Sequence, residues 1–301
     1  MAPTATAAVC LLYALSASSP RSYGVLTPSG VSPSVPIPPL AYLPNDGAAS
    51  GSTLFWGLNE SSSVFIADAG AGRSSARAVA SPPGFAAAPF RAAHVGVDAT
   101  GALVAVLLAA DWVVLAAIPD AGTTRVLADL TGAWRGWKWE PGVAAALDAT
   151  TGVLWVAGAP AAGGGVQAVG FPLRGGSAPA PIPLPSGVAL LALVWSAYFD
   201  APGGVGPGLV ALVSAAGGST TLLGSFLSEE GPPDWFEAWD GQLVPTGALA
   251  VTANGTLAHI GAKDGAGGSV VVSVDLRQGA QVGRVALPNI TLLGVLACEG
   301  W

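Results

Sequence analysis

Two stretches of this 301-residue chain are nearly superimposable: GVDATGALVAVL at 96–107 and AALDATTGVLWVA at 145–157. In each, an apolar run meets a turn that opens with Asp and closes with Gly, and a second apolar run follows. Such a turn suits a tight hairpin because glycine readily adopts a positive backbone φ. The pattern therefore predicts two antiparallel strands joined by a short turn, used at least twice.

Turn markers of this kind recur along the chain at a nearly constant step. They fall at 45–47, 98–101, 148–152, 200 and 254–255, and their acidic or Asn residues, counted from Asp46, are 52, 50, 52 and 54 residues apart. A longer hairpin fills the second half of each unit, at 64–84, 112–132, 166–187 and 270–289. Four strands per repeat of about fifty residues is typical of a β-propeller blade. A large β-sandwich is the structural alternative.

Both ends of the chain fit the same period. Residues 9–30 match the second-half hairpin, and residues 290–301 supply a first strand and the start of a sixth turn. The sequence thus predicts an all-β, six-bladed propeller over residues 1–301, a single domain whose last blade is shared by N- and C-terminal strands, which hides open strand edges. The two cysteines, Cys10 and Cys298, fall in this shared blade. They are expected to form a disulfide or, alternatively, to be unrelated buried thiols.

Composition excludes several classes of protein. The formal net charge is −7 with only 11 basic residues, which excludes the basic footprint of a nucleic-acid-binding protein. The most apolar stretch, 101–119, carries Asp111 near its centre. A buried carboxylate is costly in a membrane-spanning helix, so we interpret the stretch as two strands with a turn at Asp111.

Sequence motifs for catalysis are missing. There is no G-x-S-x-G, Walker, H-E-x-x-H or C-x-x-C pattern, and the acids between 229 and 240 lack the ligand spacing of a calcium loop. His94 and His259 lie in predicted strands and are interpreted as core histidines. We expect no catalytic residue, no metal site and no cofactor, although the sequence leaves the question of an enzyme open.

Tryptophans form the candidate binding residues. Trp134, Trp137 and Trp139 lie in one short segment, and Trp235 and Trp239 lie in another, about two repeats later. Each segment precedes a predicted first strand, so we expect both on one face of the propeller, about 120° apart around a six-bladed ring. Tryptophan beside arginine or acids suits sugar stacking or a protein hot spot. The alternative is that these rings cap apolar ground between blades.

The in-phase turns make the chain similar to six-bladed propellers of the NHL-repeat and gluconolactonase-like type. The resemblance is best in LDATTGVLWV at 147–156, which looks like the second-strand signature of those families. Gluconolactonase-like enzymes bind a divalent metal near the central channel through acidic and Asn ligands. Glu140 precedes the signature at a spacing that does not match a ligand position, so the resemblance supports the fold and assigns no ligand.

Three functions remain in view from the sequence. The first is a non-catalytic binding or scaffold propeller, a monomer or part of a larger chain, that recognises a glycan or protein partner through its tryptophans. The second is a metal-dependent hydrolase or lactonase with Glu140, Asp200 or Asp240 near the channel. The third is a spacer domain of a larger extracellular protein. If the tryptophans bind a ligand, Trp137→Ala and Trp239→Ala should weaken binding with little change in thermal stability.

The asparagines bear on the cellular compartment in which the protein is expected. Three of the four asparagines, Asn59, Asn254 and Asn289, lie in N-x-S/T sequons at predicted turns, as glycosylation requires. Residues 7–17 have the length of a signal peptide without its basic start, so they are read either as a signal peptide or as a strand. The sequence favours a secreted or secretory-pathway glycoprotein, with an intracellular protein as the alternative.

Overall fold

The protein is seen in a computed structural model. It describes residues 8–14, 21–27, 30–31, 35–36, 42–50, 53–58, 62–68, 73–98, 100–120, 123–139, 145–148, 151–174, 177–201, 204–215, 218–227, 234–252 and 254–298. Within these residues the structure is almost entirely β, and the one helix, α1, spans Thr131–Arg135. No described helix has the length and apolarity needed to cross a membrane.

The described strands form six antiparallel sheets. The N-terminal segment contributes β1 (Ala8–Ala14), β2 (Arg21–Thr27), β3 (Gly30–Val31) and β4 (Val35–Pro36). Blade 1 contains β5 (Tyr42–Ser50), β6 (Thr53–Leu58), β7 (Ser63–Asp68) and β8 (Arg73–Ala78). Blade 2 contains β9 (Phe90–Val97), β10 (Leu103–Ala109), β11 (Val113–Ile118) and β12 (Arg125–Asp129).

The remaining strands follow the same order. Blade 3 contains β13 (Trp137–Trp139), β14 (Ala146–Asp148), β15 (Val153–Pro160), β16 (Gln167–Pro172) and β17 (Ile182–Pro183). Blade 4 contains β18 (Val188–Ala201), β19 (Gly204–Ala215), β20 (Thr220–Phe226) and β21 (Phe236–Gly241). Blade 5 contains β22 (Val244–Val251), β23 (Leu257–Lys263), β24 (Ser269–Asp275) and β25 (Ala280–Leu287), and the last strand is β26 (Thr291–Cys298).

The six sheets are arranged radially, as the sequence predicts. The first strand of each blade contacts the first strands of the two neighbouring blades, in the closed order β5, β9, β14, β18, β22, β26 and back to β5. These strands therefore lie innermost. We call the face where they begin the upper face and the face where they end the lower face. The protein is a six-bladed β-propeller.

The last blade joins the two ends of the chain. Its strand order is β26-β1-β2-β3, with β4 also paired to β2, so the C-terminal strand is innermost and the N-terminal segment supplies the rest. Val9 and Leu11 of β1 pack in one buried cluster with Leu292 and Val295 of β26. The shared blade is confirmed with one correction. Residues 9–30 hold mainly the second and third strands of this blade, not the third and fourth strands that a second-half hairpin would supply.

Strong apolar runs form strands because both faces of each blade are covered by neighbours. All six residues of β11 are buried, and β10 with β11 confirms that residues 101–119 make a hairpin turning at Asp111. The turn after β9 is held by Asp98, whose Oδ1 accepts hydrogen bonds from the backbone N–H groups of Thr100 and Ala102 at 2.8 and 3.0 Å. Burial raises the pKa of Asp98, but the hydrogen bonds from Thr100 outweigh it and the pKa is lowered.

Two of the turn markers predicted from the sequence are misplaced. Residues 45–47 lie inside β5, where the register with β6 shifts, and Asp200 lies inside β18. A bulge or an extended hairpin moves a turn by a few residues without changing the local sequence signal, which explains why the repeat length was right and these boundaries were wrong.

The disulfide between Cys10 and Cys298 stays a prediction, with support from one half of the pair. Cys10 is fully buried and disulfide-bonded, and the backbone register of β1 and β26 pairs Ala8 with Cys298. The side chain of Cys298 lies outside the described residues. We expect a tryptic digest without reductant to yield residues 1–21 linked to residues 285–301, seen by mass spectrometry as one species that reduction splits. Recovery of both peptides alkylated and unlinked would reject the bond.

Candidate functional site

The first tryptophan segment lies on the upper face, in the connection from blade 2 to blade 3. Trp134 belongs to α1, and Trp137 and Trp139 belong to β13. Strands β13 and β14 pair with the two halves of β15 along the same edge, so together they form the innermost strand of blade 3. The sequence prediction that this segment enters an inner strand is confirmed.

Helix α1 is fixed to the edge of blade 2 by its first residue. The Thr131 backbone N–H donates to Asp129 Oδ1 at 2.9 Å, and its hydroxyl donates to the Val113 carbonyl at 3.3 Å. The Thr131 hydroxyl, and after it the backbone hydrogen bond, lowers the pKa of Asp129. Gly136, directly after the helix, accepts a hydrogen bond from the Ala161 N–H at 2.9 Å. The segment is therefore held on both of the blades that it joins.

The three tryptophan rings pack on one another. Trp134 stacks on Trp139 with ring centroids 4.1 Å apart and an angle of 27° between the rings. The Trp139 indole N–H donates to the Trp134 carbonyl at 3.0 Å, and Trp137 tilts against Trp139 at 5.9 Å. All three are half-buried. We call Trp134, Trp137 and Trp139 the tryptophan cluster.

Two side chains that the sequence did not connect with the tryptophans support the tryptophan cluster on its inner side. Phe171 lies 5.6 Å from Trp139 and His94 lies 6.0 Å from Trp134, between ring centroids. Gly158 lets Trp139 lie against β15, because a Cβ there would come within 2.8 Å of the indole. The interpretation of rings capping apolar ground between blades is therefore partly right, since the cluster covers the core between blades 2 and 3.

Two cations flank the tryptophan cluster at the surface. Arg135 and Lys138 are both exposed, and Arg135 donates from Nη2 to the Asp111 carbonyl at 3.2 Å. The chain as a whole has a net charge of −7. The cluster is thus a rigid aromatic surface with local positive charge on an acidic protein.

The second tryptophan segment is not part of this surface, contrary to the sequence prediction. Trp235 precedes β21 and Trp239 lies within it, and β21 is the outermost strand of blade 4. Trp239 is only 7% exposed and belongs to the core shared by blades 4 and 5. Since a fourth strand begins on the lower face, Trp235 and the cluster lie at opposite faces of adjacent blades. The expected arrangement on one face, about 120° apart on a six-bladed ring, is wrong.

Asp200 and Asp240, the two described acids among the three considered for a metal-dependent hydrolase, are not brought together. Asp200 is near the end of the innermost strand of blade 4, 3.9 Å from the Arg277 guanidinium. Asp240 is on the outermost strand of that blade and accepts a hydrogen bond from the Thr221 hydroxyl at 3.2 Å. Three strand spacings separate these two strands, or about 14 Å. Glu140 lies outside the described residues.

Both histidines are held neutral at physiological pH. Burial lowers the pKa of His94 to about 4, with the Arg91 charge as a second cause. Burial alone lowers the pKa of His259 to about 4, and its Nδ1 lies 3.0 Å from the Ser273 hydroxyl. A general base at neutral pH works best with a pKa near 7. The core interpretation of His259 is confirmed, and His94 supports the tryptophan cluster.

We expect stability to fall as the pH is lowered from 6.5 towards 4. His259 keeps a pKa of about 4 when folded and takes its ordinary value of about 6.5 when unfolded, so the unfolded state binds the proton first. Its share of the loss between pH 8 and pH 5 is about 2 kcal/mol. Urea unfolding at both pH values measures it, and His259→Asn should flatten the slope. An unchanged slope in that variant would show that His259 titrates normally in the folded protein.

Several solved structures share the fold at low sequence identity. TolB from Acinetobacter baumannii has a TM-score of 0.60 and 8% identity, over 96% of this chain and 67% of TolB. A protein of unknown function from Bacteroides caccae has a TM-score of 0.56 and 11% identity, over 97% and 99% of the two chains. The β-propeller domain of Cps50 (Swd1) from Myceliophteria thermophila has a TM-score of 0.50 and 13% identity, over 89% and 80%.

No protein-family model matches the chain, and no curated protein matches it significantly. Identities of 8–13% show a shared fold alone. The generic likeness to propeller proteins expected from the repeat is confirmed, and with six sheets closed into a ring the chain takes its place among the β-propellers.

Proposed function

We propose that this propeller is a non-catalytic binding or scaffold protein that recognises a protein partner through the tryptophan cluster. The observation that most supports this proposal is the composition of that surface, which has three half-buried tryptophans beside exposed Arg135 and Lys138. Tryptophan and arginine are enriched among the residues that dominate binding energy at protein interfaces. Rigid aromatic side chains also lose little conformational entropy when a partner docks.

The packing of the rings favours a protein over a glycan. Sugar stacking needs an open ring face, but Trp134 and Trp139 stack on each other at 4.1 Å, and Trp139 also lies against Gly158. The edges of these two rings, the Trp137 ring and the flanking cations remain for contact with a partner. Positive charge at the rim suits a partner with acidic side chains and speeds its association.

We expect Trp137→Ala and Lys138→Glu to weaken partner binding. The protein and its variants are immobilised, partners from an extract of the source cells are crosslinked and identified, and the affinity of each is measured with purified protein. Truncation of a hot-spot tryptophan costs about 2 kcal/mol or more, so the Kd should rise about 30-fold. Lys138→Glu should act mainly on the association rate and its salt dependence.

Trp235→Ala is the matched control, because Trp235 is also half-buried but lies on the opposite face. The proposal is supported by a partner that binds the wild type and Trp235→Ala with equal affinity but binds Trp137→Ala more weakly. Equal binding by all variants contradicts it. The alternative outcome is binding to a neutral oligosaccharide on an array, lost in Trp137→Ala and unchanged in Lys138→Glu. That result would show that the ligand is a glycan and not a protein.

A further inference from the structure

Asn254 stands at the surface in the turn between β22 and β23, on the lower face. The residue is exposed, and its Oδ1 accepts hydrogen bonds from the hydroxyls of Thr252 and Thr256 at 2.7 and 2.9 Å. The amide nitrogen Nδ2 takes no part in these bonds. Thr256, the threonine of the sequon, thus helps to hold the oxygen side of the Asn254 amide against the turn.

Asn289 occupies a comparable position in the connection from β25 to β26, on the upper face. It is exposed with φ of 60°, a conformation that asparagine tolerates better than most residues. Its sequon threonine, Thr291, is the exposed first residue of β26. Both asparagines therefore lie at loop ends of blades and are exposed to solvent.

The disulfide at Cys10 in the structure bears on the compartment independently of the sequons. Cys10 is disulfide-bonded and fully buried, and structural disulfides persist in secreted proteins and in the lumen of the endoplasmic reticulum. That lumen is also where asparagine-linked glycans are attached to N-x-S/T sequons in surface loops. The disulfide and the exposed sequons point to the same environment.

We propose that Asn254 and Asn289 are acceptor sites for N-linked glycans. The co-reactant is an oligosaccharide carried on a lipid diphosphate. Asparagine Nδ2 forms a bond to C1 of the first sugar, the bond from C1 to the diphosphate oxygen breaks, and Nδ2 loses one proton while the lipid diphosphate leaves. No redox change is involved. Asn59, the third sequon asparagine, lies outside the described residues and is not part of this proposal.

Glycans at these two sites leave the tryptophan cluster uncovered. Asn254 is on the lower face, whereas the cluster is on the upper face. Asn289 shares the upper face but lies between blade 5 and the shared last blade, three blades from the junction of blades 2 and 3. That places it on the opposite side of the ring. Glycosylation is therefore compatible with the proposed binding surface and does not depend on it.

The test is site occupancy in the full chain directed to the endoplasmic reticulum of cultured cells by an appended cleavable leader. Peptides containing Asn254 or Asn289 are analysed by mass spectrometry after release of N-glycans in heavy-oxygen water, which marks each occupied asparagine as a labelled aspartate. We expect both marks. Thr256→Ala should abolish the mark at Asn254 and leave that at Asn289, and Thr291→Ala should do the reverse.

Conservative variants separate loss of the sequon from loss of the fold. Thr256→Ser and Thr291→Ser keep a hydroxyl and should keep their glycans. The wild-type measurement needs no variant to fold. Unmarked Asn254 and Asn289 in chains whose Cys10 is oxidised would overturn the proposal, since such chains have reached the lumen, and a single unmarked site would overturn it for that site.

Discussion

Trp239→Ala should unfold the propeller at a markedly lower denaturant concentration than the wild type. Trp239 is 7% exposed in the core between blades 4 and 5, and its ring fills the space over Gly241, where a Cβ would come within 2.3 Å of it. Removal of a buried tryptophan side chain costs about 3–5 kcal/mol because transfer energy is lost and a cavity remains. Urea unfolding followed by circular dichroism measures the loss.

Glu237→Ala is the matched control on the same strand. Glu237 is exposed two residues away, and surface substitutions of this kind usually change stability by less than about 0.5 kcal/mol. Trp239→Phe should lie between the two because it keeps an aromatic ring. A Trp239→Ala variant as stable as Glu237→Ala would contradict the buried position and restore Trp239 as a candidate binding residue.

Gly255→Ala should be almost as damaging, for a different reason. Gly255 has φ of +67°, and a Cβ there would lie 1.0 Å from the Tyr198 carbonyl oxygen. The Asp200 N–H also donates to the Gly255 carbonyl at 3.2 Å, so the turn after β22 is in close contact with the end of β18. An added methyl group must push blades 4 and 5 apart. Overpacking together with left-handed strain costs about 3 kcal/mol.

Gly267→Ala separates the two parts of that cost. Gly267 has φ of +84° in another turn of blade 5, but a Cβ there would meet nothing within 4 Å. It should therefore lose only about 1–2 kcal/mol from the backbone conformation. Both variants are compared by thermal melting, and Gly255→Ala leaves the sequon at Asn254 intact. Equal melting temperatures would show that the contact with Tyr198 is looser than the structure indicates.

The repeat could be predicted from the sequence because each turn depends on a few residues that are adjacent in the chain. The Asp98 turn needs an acceptor for backbone N–H groups and then a glycine, here Gly101 with φ of 80°. The same requirement recurs at the turns after β14 and β22, where Asp148 is followed by Gly152 and Asn254 by Gly255. Apolar runs between turns are equally local, which is why the hairpin at 101–119 was placed correctly.

The position of a strand within its blade, from innermost to outermost, is not determined by the local sequence. This is why the second tryptophan segment was misplaced. Inner and outer strands can both be rich in apolar residues. The segment at 235–239 would precede an apolar strand whether it was the loop that enters an inner strand or was itself an outer strand. Stacking of Trp134 on Trp139 and support from Phe171 depend on the crossing from blade 2 to blade 3. The sequence therefore identified the cluster residues but not which of the five tryptophans share a surface.

Hydrogen exchange of β26 tests the closed ring most directly, and β9 is its internal standard. Both are innermost strands, but β9 belongs to a blade built from contiguous chain, whereas β26 pairs with β1 from the other end of the sequence. We predict that amides of β26 hydrogen-bonded to β1, followed by mass spectrometry, exchange as slowly as their counterparts in β9. Exchange of β26 at the rate of unstructured chain, while β9 stays protected, would contradict the closure of the propeller by its two ends.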